Sequence, residues 1–209
     1  MSQEQTISLD LLPDSIKVAL IVTGKLEELG ISYLIGGSVA SIIHGIPRLT
    51  QDVDLVADIR EGQVSELVSA FEEDFYIDEQ VVSRAIRTRT SFNMIYLDKM
   101  YKVDVFIPKG DRWSKEGMQQ RQLKPLLADE DSTARYISNP ETTVLQKLIW
   151  FKKGGGVSEK QWDDILGVLK VQSDSLDYEY LRRWASELGV ADLLSKALAD
   201  AGTTDSQLA

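Results

Sequence analysis

Three short patterns in this sequence have residue types and spacing that could do chemistry. Asp52-Val53-Asp54 opens a β-branched run, and side chains two apart on a strand project from the same face. Carboxylates held that close repel. A strand tolerates the pair where its face is fully solvated or where a divalent cation sits between the two. Hard oxygen donors suit Mg2+, which takes one or two carboxylates and completes its shell from substrate phosphates. Upstream, the apolar run Tyr33-Leu34-Ile35 stops at Gly36-Gly37-Ser38. Adjacent glycines let the backbone pass close to a bulky ligand. Ser38 stands where a helix N-cap would sit, and Val39, Ile42 and Ile43 give the short helix its buried face. A helix N-terminus offers unpaired N–H groups and partial positive charge, which suit phosphate. The third pattern is Asp104 in YKVDVFI, a mid-strand carboxylate among apolar neighbours that is costly if unpaired.

A phosphate turn followed by Asp-x-Asp resembles the nucleotidyltransferase superfamily that shares its fold with DNA polymerase β. Within it, Gly36-Gly37-Ser38, His44-Gly45, Pro47-Arg48, Thr50 and Asp52-Val53-Asp54 look like the AbiEii/AbiGii-type toxin-like nucleotidyltransferases of bacterial toxin–antitoxin systems. The resemblance implies a mixed α+β fold: a polymerase-β-like core with a mixed sheet flanked by helices, followed by a C-terminal helical region. It implies that Asp104 is the third carboxylate, and that Asp52, Asp54 and Asp104 together hold two Mg2+ ions. Gly36, Gly37 and Ser38, with Arg48 and Thr50, would bind the nucleoside triphosphate, ATP among the candidates. Lys147 in LQKLIW and Asp164 in KQWDDILGVL match a lysine and an aspartate that assist nucleotide binding or catalysis in that family. Asp163 is an alternative to Asp164, because the register is open by one residue. A snorkelling lysine and a surface carboxylate are the plainer reading of the two.

The chemistry so implied is transfer of a nucleoside monophosphate to an acceptor hydroxyl or phosphate end, on tRNA or protein, with release of pyrophosphate. A cognate antitoxin would be the partner. A nucleotide-binding or antitoxin-like protein without turnover, and a small-molecule (antibiotic) nucleotidyltransferase, are the competing readings. Retention of all three carboxylates with Ser38 argues against the first, and Lys147 with Asp164 against the second. His44 is the single histidine. It ends the short helix, and one histidine without cysteines makes a zinc site implausible. No nucleophile-elbow pattern supports serine chemistry.

The elements that must position these residues follow from periodicity and punctuation. A helix is expected from Pro13 to Gly30, then strands over 31–35 and 53–59, and a helix on the stripe Val64, Leu67, Val68 and Phe71. Residues 76–87 read either as a short strand or as a helix. The Arg84, Arg87 and Arg89 patch is either a solvated edge or a polyphosphate contact. Strands over 91–97 and 101–107 form a hairpin through Asp98-Lys99-Met100. Residues 108–124 read as a loop and helix, and 126–136 as connecting structure with one or two short strands. Asn139 and Pro140 start a helix, and Gly154-Gly155-Gly156 is a helix-to-helix loop. Ser158-x-x-Gln161 is a capping box, opening a helix whose second side turns Asp164 inward. Two further helices are expected over 178–188 and 190–201. The domain division expected is a catalytic core over 1–138 and a packed helical region over 139–209.

Composition bounds the rest. With 43% hydrophobic and 27% charged residues among 209, the chain is an ordinary globular one, long enough to bury a core. It has no cysteine and no apolar run of membrane-spanning length. The start MSQEQTISLD has no basic stretch ahead of an apolar core, so a cytoplasmic protein without membrane contact is expected. The net charge of −10 excludes nonspecific DNA binding, which needs a basic footprint.

Overall fold

The computed structural model describes residues 13–127 and 133–202. Its organising strand is β2 (Asp52–Ala57), where burial alternates strictly: Val53, Leu55 and Ala57 are buried, while Asp52 is exposed and Asp54 and Val56 are half-buried. The same alternation governs β4 (Ser91–Tyr96) and β5 (Tyr101–Phe106). One face of these strands therefore meets the core and the other carries polar groups. β5 pairs parallel with β2, and β4 pairs antiparallel with β5. β1 (Tyr33–Ile35) lies antiparallel on the other side of β2. With β3 (Phe75–Tyr76), β6 (Gln122–Pro125) and β7 (Ala134–Ile137), the described residues form one mixed sheet in the order β3-β4-β5-β2-β1-β7-β6.

Helices α1 (Asp14–Glu28), α3 (Val64–Phe71) and α4 (Glu79–Thr88) supply the first core, in which Val18, Val22, Leu67, Phe71 and Val82 meet Leu55, Met94, Val103 and Val105. A second apolar cluster unites α6 (Pro140–Lys153), α7 (Glu159–Val171), α8 (Tyr178–Glu187) and α9 (Ala191–Ala201) around Leu145, Leu148, Ile165, Val168, Leu181 and Trp184. Trp113 of α5 (Arg112–Gln119) joins it, its ring 5.1 Å from that of Trp184. The short helix α2 (Gly37–His44) links the two clusters by packing against β2, α6 and α7. Among the described residues no helix is long and apolar enough to cross a membrane.

The mixed α+β architecture is as expected, with local differences. β1 begins at Tyr33 because Ile31 and Ser32 lie outside the ladder, although Ile31 is buried. The ambiguous segment holds both elements: β3, then α4, capped by the Asp78 side chain and closed by Arg89 at φ 51°. The stretch after α5 is not helical to Lys124. The helix ends at Gln119, and 122–125 pair with β7 as an edge strand, where Pro125 is tolerated. Ser158 accepts from the Gln161 N–H at 3.4 Å, but Gln161 Oε1 is buried without a partner, so only half of the capping box forms. The polar ends expected at 1–10 and beyond Ala201 fall largely outside the described residues, as do 128–132 of the 126–136 connection, whose described part holds one short strand, β7.

Candidate active site

Asp54 is built into its place by the turn before α2. The Gly36 N–H donates to the Asp54 carbonyl at 2.9 Å, so the turn is stitched to β2. Gly37 has φ +53°, and a Cβ there would lie 1.8 Å from Asp54 Oδ2. The Asp54 carboxylate thus occupies the space that only glycine leaves open. The helix starts at Gly37 with Gly36 at the N-cap, so Ser38 does not cap it. The Ser38 backbone N–H bonds the Asp54 carboxylate instead, and its hydroxyl accepts from Arg48 Nη2 at 3.0 Å. Ile42 and Ile43 are only half-buried. The inward face of α2 is Val39, Ala40, Ser41 and His44.

Sheet register brings the other carboxylates to the same face. Asp54 sits beside Asp104 on parallel β5, and Asp52 beside Lys102. Burial raises the Asp54 carboxyl above the ordinary range, and the Asp104 and Asp52 charges raise it further. The opposing influences are the Ser38 N–H and the Lys147 charge. Asp104 is tied to Lys102, Nζ to Oδ2, at 2.8 Å. Among the described residues no group of three Asp, Glu or His side chains stands close enough to hold an ion as it is arranged. The donor set is nonetheless that of a hard cation: three carboxylates on one sheet face, whose mutual repulsion a divalent ion would relieve.

Arg48, Lys147 and Asp164 form one cluster. Arg48 grips Asp164 bidentately, Nε to Oδ1 and Nη2 to Oδ2, both at 2.6 Å. Lys147 Nζ donates to Asp164 Oδ2 at 2.7 Å. Asp164 is buried whereas Asp163 is exposed, so Asp164 is the one of the two that meets this cluster. Burial pushes the Asp164 carboxyl up, but hydrogen bonds from Arg48 and Lys147 outweigh it and hold the group below its ordinary value. Burial likewise lowers Lys147, opposed by Asp164 and Asp54. With Nζ against an ionised carboxylate, the ammonium is the charged form. Arg48 also donates to the Leu49 carbonyl through Nη1, so most of its donors are engaged internally. The cluster therefore ties α6 and α7 to Ser38, the residue that also holds Asp54.

The remaining candidates are supports. Thr50 is buried, its hydroxyl 3.4 Å from the Asp52 carbonyl and its own carbonyl taking the Tyr101 hydroxyl, which anchors the start of β2. His44 is 1% exposed. One ring nitrogen, Nε2, bonds the Ser138 carbonyl at 2.7 Å while Nδ1 has no partner, and burial lowers its pKa. It is a neutral buried strut between α2 and the start of α6. The arginines Arg84, Arg87 and Arg89 are exposed on α4 and its C-cap. That helix packs on the buried Phe92 and Met94 side of β4, across the sheet from Asp104. Sequence reasoning missed Lys102, whose only signal was a position two residues before Asp104. Gly45, quoted above with His44, has a packing role that no sequence pattern shows: a Cβ there would meet the Gly167 and Val168 backbone of α7 at 2.9 Å.

Comparison with known proteins places this geometry in a fold. The chain is similar to an antigenic nucleotidyltransferase-like protein from Paracoccidioides brasiliensis at 19% identity and TM-score 0.51, over 89% of this chain and 93% of that one. A crystal structure of ANT(2")-Ia in complex with adenylyl-2"-tobramycin matches at 13% identity and TM-score 0.58, over 84% of this chain and 97% of that one. The solution structure of the same antibiotic-resistance factor matches at 13% identity and TM-score 0.54, over 89% and 94%. No protein-family model and no curated protein sequence matches. The chain has a nucleotidyltransferase-like fold, and its carboxylate face and Gly-Gly turn lie together at one end of α2.

Proposed function

We propose that this chain is a nucleotidyltransferase that moves a nucleoside monophosphate from a nucleoside triphosphate to an acceptor hydroxyl. The observation that carries the reading is the contact of Gly37 with Asp54, which fuses a phosphate turn to a face of three carboxylates. The acceptor oxygen bonds to the α-phosphorus, the bond from that phosphorus to the bridging oxygen breaks, and pyrophosphate leaves. Asp52, Asp54 and Asp104 would hold Mg2+, which lowers the pKa of the acceptor hydroxyl and neutralises phosphate charge. Asp104 faces the open side of the sheet, beside exposed Asn93, and would accept the hydroxyl proton. Lys147, with one donor on Asp164 and its charge felt at Asp54, is the cation best placed for the triphosphate. Asp164 positions it, and holds Arg48 against Ser38.

The acceptor follows from charge and from the neighbours. A chain of net charge −10 with an open acidic face suits a small, cationic, hydroxyl-bearing acceptor better than a nucleic acid. The near-complete coverage of ANT(2")-Ia, solved with an adenylylated tobramycin, supports that reading. A second reading keeps an AbiEii-like toxin acting on tRNA or protein, with a cognate antitoxin, and is favoured by the buried Lys147–Asp164 pair. Each phosphorus-32 α-labelled NTP, incubated with Mg2+ and a whole-cell lysate, separates the two. Label in the small-molecule fraction supports the first and label in RNA or protein the second. Label in none, with wild type matching Asp52→Asn/Asp54→Asn, overturns the transferase.

A further inference from the structure

Asp104 is, among the described residues, the one carboxylate of the three with an ion pair. Lys102 and Asp104 are two apart on β5 and so share its face. Lys102 Nζ lies 2.8 Å from Asp104 Oδ2, and the parallel register sets Lys102 beside Asp52. All three carboxylates act on that ammonium, Asp104 most strongly through its hydrogen bond, and keep it charged. The lysine side chain is 45% exposed and the Asp104 side chain 22%, so the ammonium has water to retreat into. Asp54, by contrast, is fixed by the Ser38 N–H and the Gly37 backbone. Asp104 is held instead by a side chain that can move into water.

We propose that Lys102 is an internal counter-cation of the carboxylate face: it balances the repelling carboxylates of the metal-free protein and competes with the divalent ion for Asp104. The proposal rests on the reading of this face as a metal and nucleotide site. Before ion and nucleotide bind, Lys102 offsets the repulsion that burial and like charge impose. When they bind, Asp104 must release it, so Lys102 sets the apparent ion affinity without touching the reacting atoms. A lysine that instead clamped the triphosphate would leave ion affinity unchanged and weaken nucleotide binding. A merely structural surface pair would change neither.

The test is Mn2+ binding to the nucleotide-free full chain, read by electron paramagnetic resonance of the free ion, for wild type, Lys102→Met and Lys102→Arg. Removing one positive charge about 6 Å from a divalent ion in a water-like medium tightens it by about tenfold. The expected result is a several-fold to tenfold lower Kd for Lys102→Met, shrinking at high salt, with Lys102→Arg close to wild type. Asp52→Asn/Asp54→Asn, which removes two of the three carboxylates, assigns the binding to this face by abolishing it. Equal or weaker binding by Lys102→Met overturns the proposal while leaving the metal site standing. Absence of Mn2+ binding in wild type and variants alike overturns the reading of the face, and the proposal with it.

Discussion

Gly37→Ala is the sharpest perturbation of the turn, because its cost divides into two parts that can be measured apart. The added Cβ would sit 1.8 Å from Asp54 Oδ2, 2.5 Å from its Cγ and 2.7 Å from its Cβ. A left-handed backbone conformation costs an L-residue about 1–2 kcal/mol whatever surrounds it. Swinging Asp54 aside also forfeits the charged hydrogen bond from the Ser38 N–H, about 1.5–3 kcal/mol. The two together bound the loss at about 2.5–5 kcal/mol, less whatever Asp54 regains on reaching water. In an Asp54→Gly background all three contacting atoms are gone, and the same substitution should cost only about 1–2 kcal/mol. Urea unfolding of the metal-free single and double variants closes the cycle. A coupling of about 1–3 kcal/mol is expected. A coupling indistinguishable from zero would mean that Asp54 is not seated on Gly37, and the fusion of phosphate turn and carboxylate face would be lost with it.

Other perturbations reach the surrounding contacts. Asp164→Leu alone leaves Arg48 and Lys147 without their carboxylate and should cost about 3–5 kcal/mol, whereas adding Arg48→Met and Lys147→Met should recover most of that stability in a urea titration but no transferase activity. Asp54 keeps its proton to higher pH folded than unfolded, so its contribution to stability is present at low pH and is lost as pH rises through the raised value. Metal-free Asp54→Asn should therefore gain on wild type from about pH 4 upward, by about 1.4 kcal/mol for every tenfold by which folding weakens the acidity of that carboxyl. A constant difference in Tm across pH would refute the cause given. Gly45→Ala forces the α2 and α7 backbones apart and should cost about 1–3 kcal/mol. Gly24→Ala, mid-helix in α1 with nothing within 4 Å of the new Cβ, should stabilise by about 0.5–1 kcal/mol, and thermal unfolding of both checks the contrast.

Much of this site is legible in one sequence because strand geometry is so regular. A period of two puts Asp52 and Asp54 on one face, and the apolar alternation of YKVDVFI puts Asp104 opposite its valines. The helical projection of α7 turns Asp164 inward, and its burial agrees. What stayed hidden is what depends on partners far apart in the chain. Sequence suggests that Arg48 faces phosphate, but nothing local says that a carboxylate more than a hundred residues later takes two of its nitrogens. Ser38 has the residue type of an N-cap, yet Gly36 takes that position and Ser38 braces Asp54 and Arg48 instead. Edge strand β6 escaped notice because it is only four residues long, ends in Pro125, and has its ladder partner, β7, beyond a further connection. Lys102 looks like an ordinary surface lysine until the register of β2 and β5 sets it beside Asp52.

The central claim is the kind of bond that is broken, and isotope position tests it most directly. The whole-cell lysate fraction found to accept label would be incubated with Mg2+ and either α-labelled or γ-labelled NTP, using wild type and Asp54→Asn. Nucleotidyl transfer predicts that the α-label stays on the acceptor while the γ-label appears in pyrophosphate, and that both signals vanish in the variant. Retention of the γ-label on the acceptor would make the chain a phosphoryl transferase. The same labelled products from Asp54→Asn would place the chemistry elsewhere than on this carboxylate face.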